Sequence, residues 1–180
     1  MDPIRTLVTA EELAGIAGDR RVELVRGELV EMSPVDLEHS GLVALLISWL
    51  VAFVSPRKLG HVGTECGFIL SRKPDIVRAP DIHFIPADRL GSKPSGFFAG
   101  APDLAIEVVS QYDRPGEVQQ KIREYLSAGA RLVWLVDPRS ETVTVYPRSG
   151  EPRVYAGNQD VAGEEVLPGF SFRPAALFRF

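Results

Sequence analysis

The chain has 180 residues, 45% hydrophobic, 8% aromatic and 24% charged, which predicts one compact domain with a sizeable core and excludes a disordered chain. Against 24 Asp and Glu stand 20 Lys and Arg, a formal net charge of −4, so no chain-wide cationic field draws in a polyanion and any nucleic-acid contact has to be local. The single cysteine, Cys66, excludes an internal disulfide and a thiolate zinc site and fits a reducing compartment.

The N-terminal Met-Asp-Pro-Ile-Arg, with acids at Asp2, Glu11 and Glu12, does not read as a signal peptide. The longest uncharged run, Gly41 to Pro56, spans 16 residues, short of the ~20 apolar residues needed to cross a bilayer. A soluble, cytoplasmic protein with no membrane partner is expected.

Thr9-Ala-Glu-Glu12 fits a capping box and predicts a short helix over residues 9 to 17, ended by Gly18. Arg21 to Met32 alternates about Arg26-Gly27, which predicts a hairpin closed by Ser33-Pro34. From His39 to Val54, Leu42, Leu45, Leu46, Trp49, Leu50 and Phe53 recur at helical spacing, the pattern of a main buried helix. Strands are predicted at Val62 to Leu70, Asp81 to Ile85, Leu104 to Val109, Leu132 to Val136 and Thr142 to Tyr146. Residues 87 to 102 read as a loop, and Pro115 to Ala128, ended by Gly129, as a helix. The order predicts an α/β (α+β) layer architecture with a mixed sheet and helices packed over it.

An acid inside an apolar strand is informative because a lone carboxylate is costly to bury. Glu107, in Asp103-Leu-Ala-Ile-Glu-Val-Val, is such an acid, and a cation, a metal or a proton should accompany it; the competing reading is a purely structural ion pair. Asp81 opens the preceding strand, and antiparallel pairing with residues 104 to 109 would bring it beside Glu107. Two converging carboxylates repel unless a divalent ion lies between them, and oxygen-only ligands favour Mg²⁺ or Mn²⁺ over zinc. Lys121 lies at the edge of the helical stripe Val118, Ile122, Tyr125 and Leu126. If that helix folds back over the strand, rises of ~9 Å along the helix and ~10 Å along the strand bring Lys121 level with Glu107.

With Glu23-Leu-Val-Arg-Gly-Glu, His39, Ala79-Pro-Asp81, Leu104-Ala-Ile-Glu107-Val-Val-Ser110, Lys121-Ile-Arg-Glu-Tyr125, Val133-Trp-Leu-Val-Asp137-Pro138 and Leu167-Pro-Gly169 in this order, nearly the whole chain resembles the Uma-two family of restriction-endonuclease-like proteins in the PD-(D/E)XK nuclease superfamily. The resemblance implies a restriction endonuclease-like core, a mixed central sheet flanked by helices, here with an N-terminal helix and hairpin in front. It also implies a site in which Asp81 takes the Asp position and Glu107 the acid position. Val109 stands where the superfamily has its usual lysine, and within the family pattern the lysine moves to the following helix, here Lys121. Glu23 and His39 match family positions too. Glu23 is either a further metal or water ligand or a partner for Arg21 or Arg26, and His39 either orients a site carboxylate or caps its helix, the latter preferred.

Two functions are carried forward. One is a Mg²⁺- or Mn²⁺-dependent endonuclease that hydrolyses DNA phosphodiester bonds, with Asp81 and Glu107 holding the ion and Lys121 supplying the cation. A homodimer is expected with it, since cutting both strands often needs two copies. The other is a catalytically inactive nucleic-acid- or protein-binding module on the same fold. The complete Asp, Glu and Lys set favours the first, and the acidic net charge the second. Arg72, Lys73 and Arg78 are too few to define a DNA groove. His61, His83 and Cys66 read as ordinary strand or loop residues, and Trp49 and Trp134 as core.

Overall fold

The computed structural model describes residues 7–16, 18, 20–91 and 96–179. Asp2, residue 17 of the predicted first helix and residues 92–95 of the predicted loop lie outside the described residues. In chain order the elements are α1 (Ala10–Ile16), β1 (Val22–Val25), β2 (Glu28–Glu31), α2 (Leu37–Arg57), β3 (Gly60–Gly63), β4 (Phe68–Ser71), β5 (Ile76–Arg78), β6 (Ile82–Pro86), β7 (Phe98–Ala99), β8 (Leu104–Val108), α3 (Pro115–Ser127), β9 (Leu132–Asp137), β10 (Thr142–Pro147), β11 (Arg153–Ala156), β12 (Val161–Ala162), β13 (Ser171–Phe172) and α4 (Pro174–Leu177).

The central six-stranded sheet has the order β11-β10-β9-β8-β6-β3. Strands β8 and β9 are parallel, and the other neighbours are antiparallel. A parallel neighbour requires a crossover, and α3 is that crossover. A second sheet, β2-β1-β5-β4-β7, carries the hairpin. The chain passes from one sheet to the other between β5 and β6, at Ala79-Pro80-Asp81.

Period-two alternation divides β8 between two cores. Leu104, Ile106 and Val108 belong to the large cluster with Leu42, Leu46, Leu50 and Val54 of α2 and with Trp134. Ala105 belongs to a smaller one with Val118, Ile122 and Tyr125 of α3. At ~25 cal/mol per Å² of buried apolar surface, the large cluster is the main source of stability.

Both helix starts follow from local chemistry. Thr9 and Glu12 form the predicted capping box, with Thr9 N–H donating to Glu12 Oε2 at 2.8 Å and Glu12 N–H to Thr9 Oγ1 at 3.2 Å. Helix α2 begins earlier than its apolar stripe, because the Asp36 carboxylate accepts from the His39 N–H at 2.9 Å and caps it. At 21 residues α2 is long and apolar enough to cross a membrane by length and composition, whereas the uncharged run alone is too short. Here it lies on the sheet, with Leu42, Leu46, Leu50 and Val54 buried. Leu45, Trp49 and Phe53 are only partly buried, so the buried stripe is narrower than the periodicity predicts.

The predicted strand Val62 to Leu70 is two strands of different sheets, β3 and β4, separated by a turn in which Glu65 adopts φ 53°. Three residues, Ile76–Arg78, form a strand the pattern does not announce, because Asp75 and Pro80 bracket too short a run. The predicted loop over 87 to 102 contains a 3₁₀ turn, Ala87–Arg89, and strand β7. Beyond β10, the short segments β11, β12, β13 and α4 also lie outside the predicted elements.

Candidate active site

Glu107 is 7% exposed, and its strand geometry turns it away from the α2 core toward α3. The register Ile82↔Ile106 sets Asp81 beside the end of β8, where its Oδ2 accepts from the Val108 N–H at 2.8 Å. The predicted antiparallel pairing is therefore present, and the Asp81 carboxylate is fixed by the backbone of the strand that carries Glu107. Helix α3 returns over this sheet face, and Lys121 Nζ donates to Glu107 Oε2 at 3.2 Å. The structure thus brings Asp81, Glu107 and Lys121 together.

Glu23 joins them from β1. Fully buried, it lies 3.3 Å from Lys121 Nζ through Oε1, and the same oxygen accepts from the Ala79 N–H at 3.1 Å. Its principal partner is neither Arg21 nor Arg26. Arg78 of β5 donates through Nη1 to Glu23 Oε2 at 2.7 Å and through Nε to Glu124 Oε2 at 2.6 Å, while Arg21 pairs with Glu65 at 2.7 Å. A charged pair separated by so many residues comes together only through the β1–β5 pairing, so the hairpin alone misdirects the assignment.

His39 meets a site carboxylate and does not cap its helix, a role that Asp36 fills. Its backbone N–H is capped by Asp36, and its Nε2 lies 3.1 Å from Asp81 Oδ1. Burial lowers its proton affinity, but the Asp81 hydrogen bond and the charges of Asp81, Asp36 and Asp113 outweigh it, so the imidazole pKa is raised.

Tyr125 and Arg78 also belong to the site, although neither is among the candidates read from sequence. The Tyr125 hydroxyl donates to Glu107 Oε1 at 2.7 Å. The signals were present: a tyrosine on a buried stripe needs a partner for its hydroxyl, and an arginine in an apolar strand needs a carboxylate.

The electrostatics are those of crowded carboxylates. Burial raises the Glu107 pKa first, and repulsion from Asp81 and Glu23 adds to it, against the opposing Lys121 charge and Tyr125 hydrogen bond; the result is about 7. For Lys121 burial works against the charge, but Glu107, Glu23 and Asp81 outweigh it and hold the ammonium firmly protonated. Glu23, Asp81, Glu107 and Lys121 line a cleft of about 320 Å³, bordered by Val30, Met32 and Tyr112. A larger cavity, about 610 Å³, lies on the other side of Gln120 and contains none of the acids Asp81, Glu107 and Glu23.

Among the described residues no group of three or more His, Cys, Asp or Glu side chains stands as a ready metal cage. The donor set nonetheless fits a hard divalent ion of the Mg²⁺ type, which keeps several waters and is commonly held by one or two carboxylates plus substrate phosphate. Glu107 supports the fit, since the two neighbouring carboxylates that raise its pKa are the repulsion such an ion would relieve. His61 and His83 are absent from the cleft lining. Burial and the nearby His61 lower the His83 pKa to about 4.

A mixed sheet with two acids at adjacent strands and a lysine from the crossover helix defines the architecture of a restriction endonuclease-like protein. The chain belongs to the Uma2 family, described as "Putative restriction endonuclease", whose model matches residues 9–176. Its fold is similar to that in the crystal structure of "a putative nuclease belonging to DUF820" from Anabaena variabilis, with TM-score 0.86 and 22% identity over 95% of this chain and 97% of that one. No curated protein matches.

Proposed function

We propose that the protein is a metal-dependent endonuclease that hydrolyses DNA phosphodiester bonds in the cleft between the hairpin and α3. The observation that carries this reading is the convergence of Asp81 and Glu107 in one cleft with the Lys121 ammonium 3.2 Å from Glu107 Oε2. Family membership supports the nuclease class.

In this reading Asp81 and Glu107 hold one Mg²⁺ or Mn²⁺. When bound, the ion supplies Lewis-acid polarisation of a phosphoryl oxygen and lowers the pKa of a water. The chain's own groups do the rest. Asp81 is held in place by the Val108 N–H and by His39, and Tyr125 orients Glu107 through its hydroxyl. Lys121 places a permanent positive charge at the acids, where negative charge develops on the transferred phosphoryl group. Glu23 holds Lys121 from behind and is itself held by Arg78, so both are positioning residues in this scheme.

Calorimetric titration of Mn²⁺ tests the site. Wild type should bind, and Asp81→Ala and Glu107→Ala should each lose that binding while remaining folded by circular dichroism; equal affinity in all three would refute the assignment. Plasmid cleavage should require added metal and stop in EDTA, and full activity in EDTA would reassign the chemistry. The reading includes a cytoplasmic homodimer. The solvent face of α2, with Leu37 85% exposed and Val51 40% exposed, supports the dimer, which sedimentation velocity tests directly.

A further inference from the structure

The cleft leaves an electrostatic problem. Its three cations, Arg21, Arg78 and Lys121, are all engaged by carboxylates, and the chain carries a net charge of −4. A polyanionic strand held there gains little from them.

The cavity of about 610 Å³ across Gln120 is built differently. Arg26 and Arg123 line it, both exposed, and neither has a hydrogen-bond or ion-pair partner among the described residues. The one acid in its wall, Glu124, is already occupied, its Oε2 by Arg78 Nε at 2.6 Å and its Oε1 by Gln120 Nε2 at 2.8 Å. Ser71 and Ser127 add hydroxyl donors to the same wall. Gln120 lines both cavities, so the two are contiguous across the outer face of α3.

Arg26 also sits where its backbone is disfavoured. It occupies the first central position of the β1–β2 turn at φ 51°, followed by Gly27 at φ 81°, positions that favour Asn-Gly. A backbone in this region at a residue whose side chain has no partner among the described residues is a pointer to function. The turn is fixed as well: the Gly27 N–H donates to Asp75 O at 2.8 Å, and Gly27 O accepts from the Val8 N–H at 2.9 Å. The arginine is therefore presented from a tethered turn.

We propose that this cavity is a phosphate-binding subsite in which Arg26 and Arg123 hold the phosphodiester backbone of the DNA strand whose scissile bond lies in the neighbouring cleft. The inference rests on the endonuclease reading and adds to it the surface that supplies affinity. Arginine suits the role, because its planar fork takes two phosphate oxygens at once. Sequence specificity is not expected from it, since phosphate contacts position without reading bases.

The test uses the full-length protein in EDTA, where binding is separated from cleavage, and a fluorescein-labelled DNA duplex followed by anisotropy as salt is varied. Each arginine–phosphate contact contributes about 0.9 to the slope of log affinity against log salt. Arg26→Ala with Arg123→Ala should therefore flatten the slope by about 1.8, so that between ~50 and ~200 mM salt wild type loses about 12-fold more affinity than the double variant. Arg26→Lys with Arg123→Lys should keep the wild-type slope. Equal slopes in wild type and the double alanine variant would overturn the proposal, as would a wild type that binds no duplex. Inorganic phosphate at fixed ionic strength should compete for the same arginines, reducing wild-type duplex binding toward the level of the double variant while leaving the double variant unchanged; inhibition that is equal in the two proteins would overturn the assignment. A slope difference without metal-dependent cleavage would refute the endonuclease reading and leave the subsite standing; cleavage without a slope difference would do the reverse.

Discussion

The two faces of the central sheet make opposite use of the same strand. Toward α2, β8 presents Leu104, Ile106 and Val108 to a continuous apolar core in which Trp134 lies against Phe170 and Phe172. Toward α3, the alternate positions Ala105 and Glu107 meet a small apolar cluster and then a network of Glu23, Arg78, Lys121, Glu124 and Tyr125. One face stabilises the fold through area removed from water. The other holds buried charge, which stabilises little and is costly to leave unpaired. The strand can afford an acid at its centre because its reverse side is wholly apolar.

Substitutions on the two faces should therefore separate stability from chemistry. The largest effect is expected on the α3 face: Lys121→Ala should lower the cleavage rate by ~10²–10³-fold, the usual cost of removing one electrostatic stabiliser. Mn²⁺ affinity should be kept or slightly raised by loss of the competing charge, as single-turnover kinetics and calorimetry would measure. If that variant cleaves at the wild-type rate under saturating metal, the lysine has no chemical role.

Adjacent residues of β8 give the next contrast. Ile106→Ala should cost ~2–5 kcal/mol of stability in urea unfolding, through lost burial and the cavity left behind. Glu107→Gln, one position along, should leave the metal-free melting temperature unchanged or raised, because it removes the repulsion with Asp81 and Glu23. A Glu107→Gln protein as unstable as Ile106→Ala would make the carboxylate a structural ion-pair member.

The pH dependence follows from the same group. Glu107 has its pKa raised from the ordinary 4.5 to about 7, so the folded state binds the proton more tightly than the unfolded chain. The stability this contributes is fully present below pH 4.5 and is lost as pH rises through about 7. Metal-free wild type should therefore lose stability across that window, and Glu107→Gln should lose less. Mn²⁺ affinity should move the other way, rising as the carboxylate ionises. The smallest effect is expected from Tyr125→Phe, ~0.5–1.5 kcal/mol for one hydrogen bond, with the Glu107 titration displaced upward by loss of a donor to its charged form.

What the sequence discloses of this arrangement follows from how local each signal is. Glu107 stands out because it interrupts five otherwise apolar or small residues, and Lys121 because helical spacing and strand rise can be laid side by side. The β1–β5 pairing has no such mark: β5 is three residues long, and Leu24↔Val77 is its register pair with β1. Arg78 and the true partner of Glu23 stayed hidden with it. Strands β3 and β4 merged in the pattern because both are short, although Gly63 and Gly67 bracket the break between them, where Glu65 turns the backbone at φ 53°. The outer strands β11 to β13 are short and largely exposed, so hydrophobic periodicity has little to register there.

The passage between sheets at Ala79-Pro80-Asp81 has a mechanical consequence. Arg78 ends a strand of one sheet and Asp81 precedes a strand of the other, so three residues, one a proline with its φ fixed, set the spacing between the ionic scaffold and the acid beside Glu107. They act as the gauge block of the site. A single residue inserted there would leave each sheet its own hydrogen bonds yet put the two halves out of alignment, giving a folded protein whose parts are all present and no longer meet.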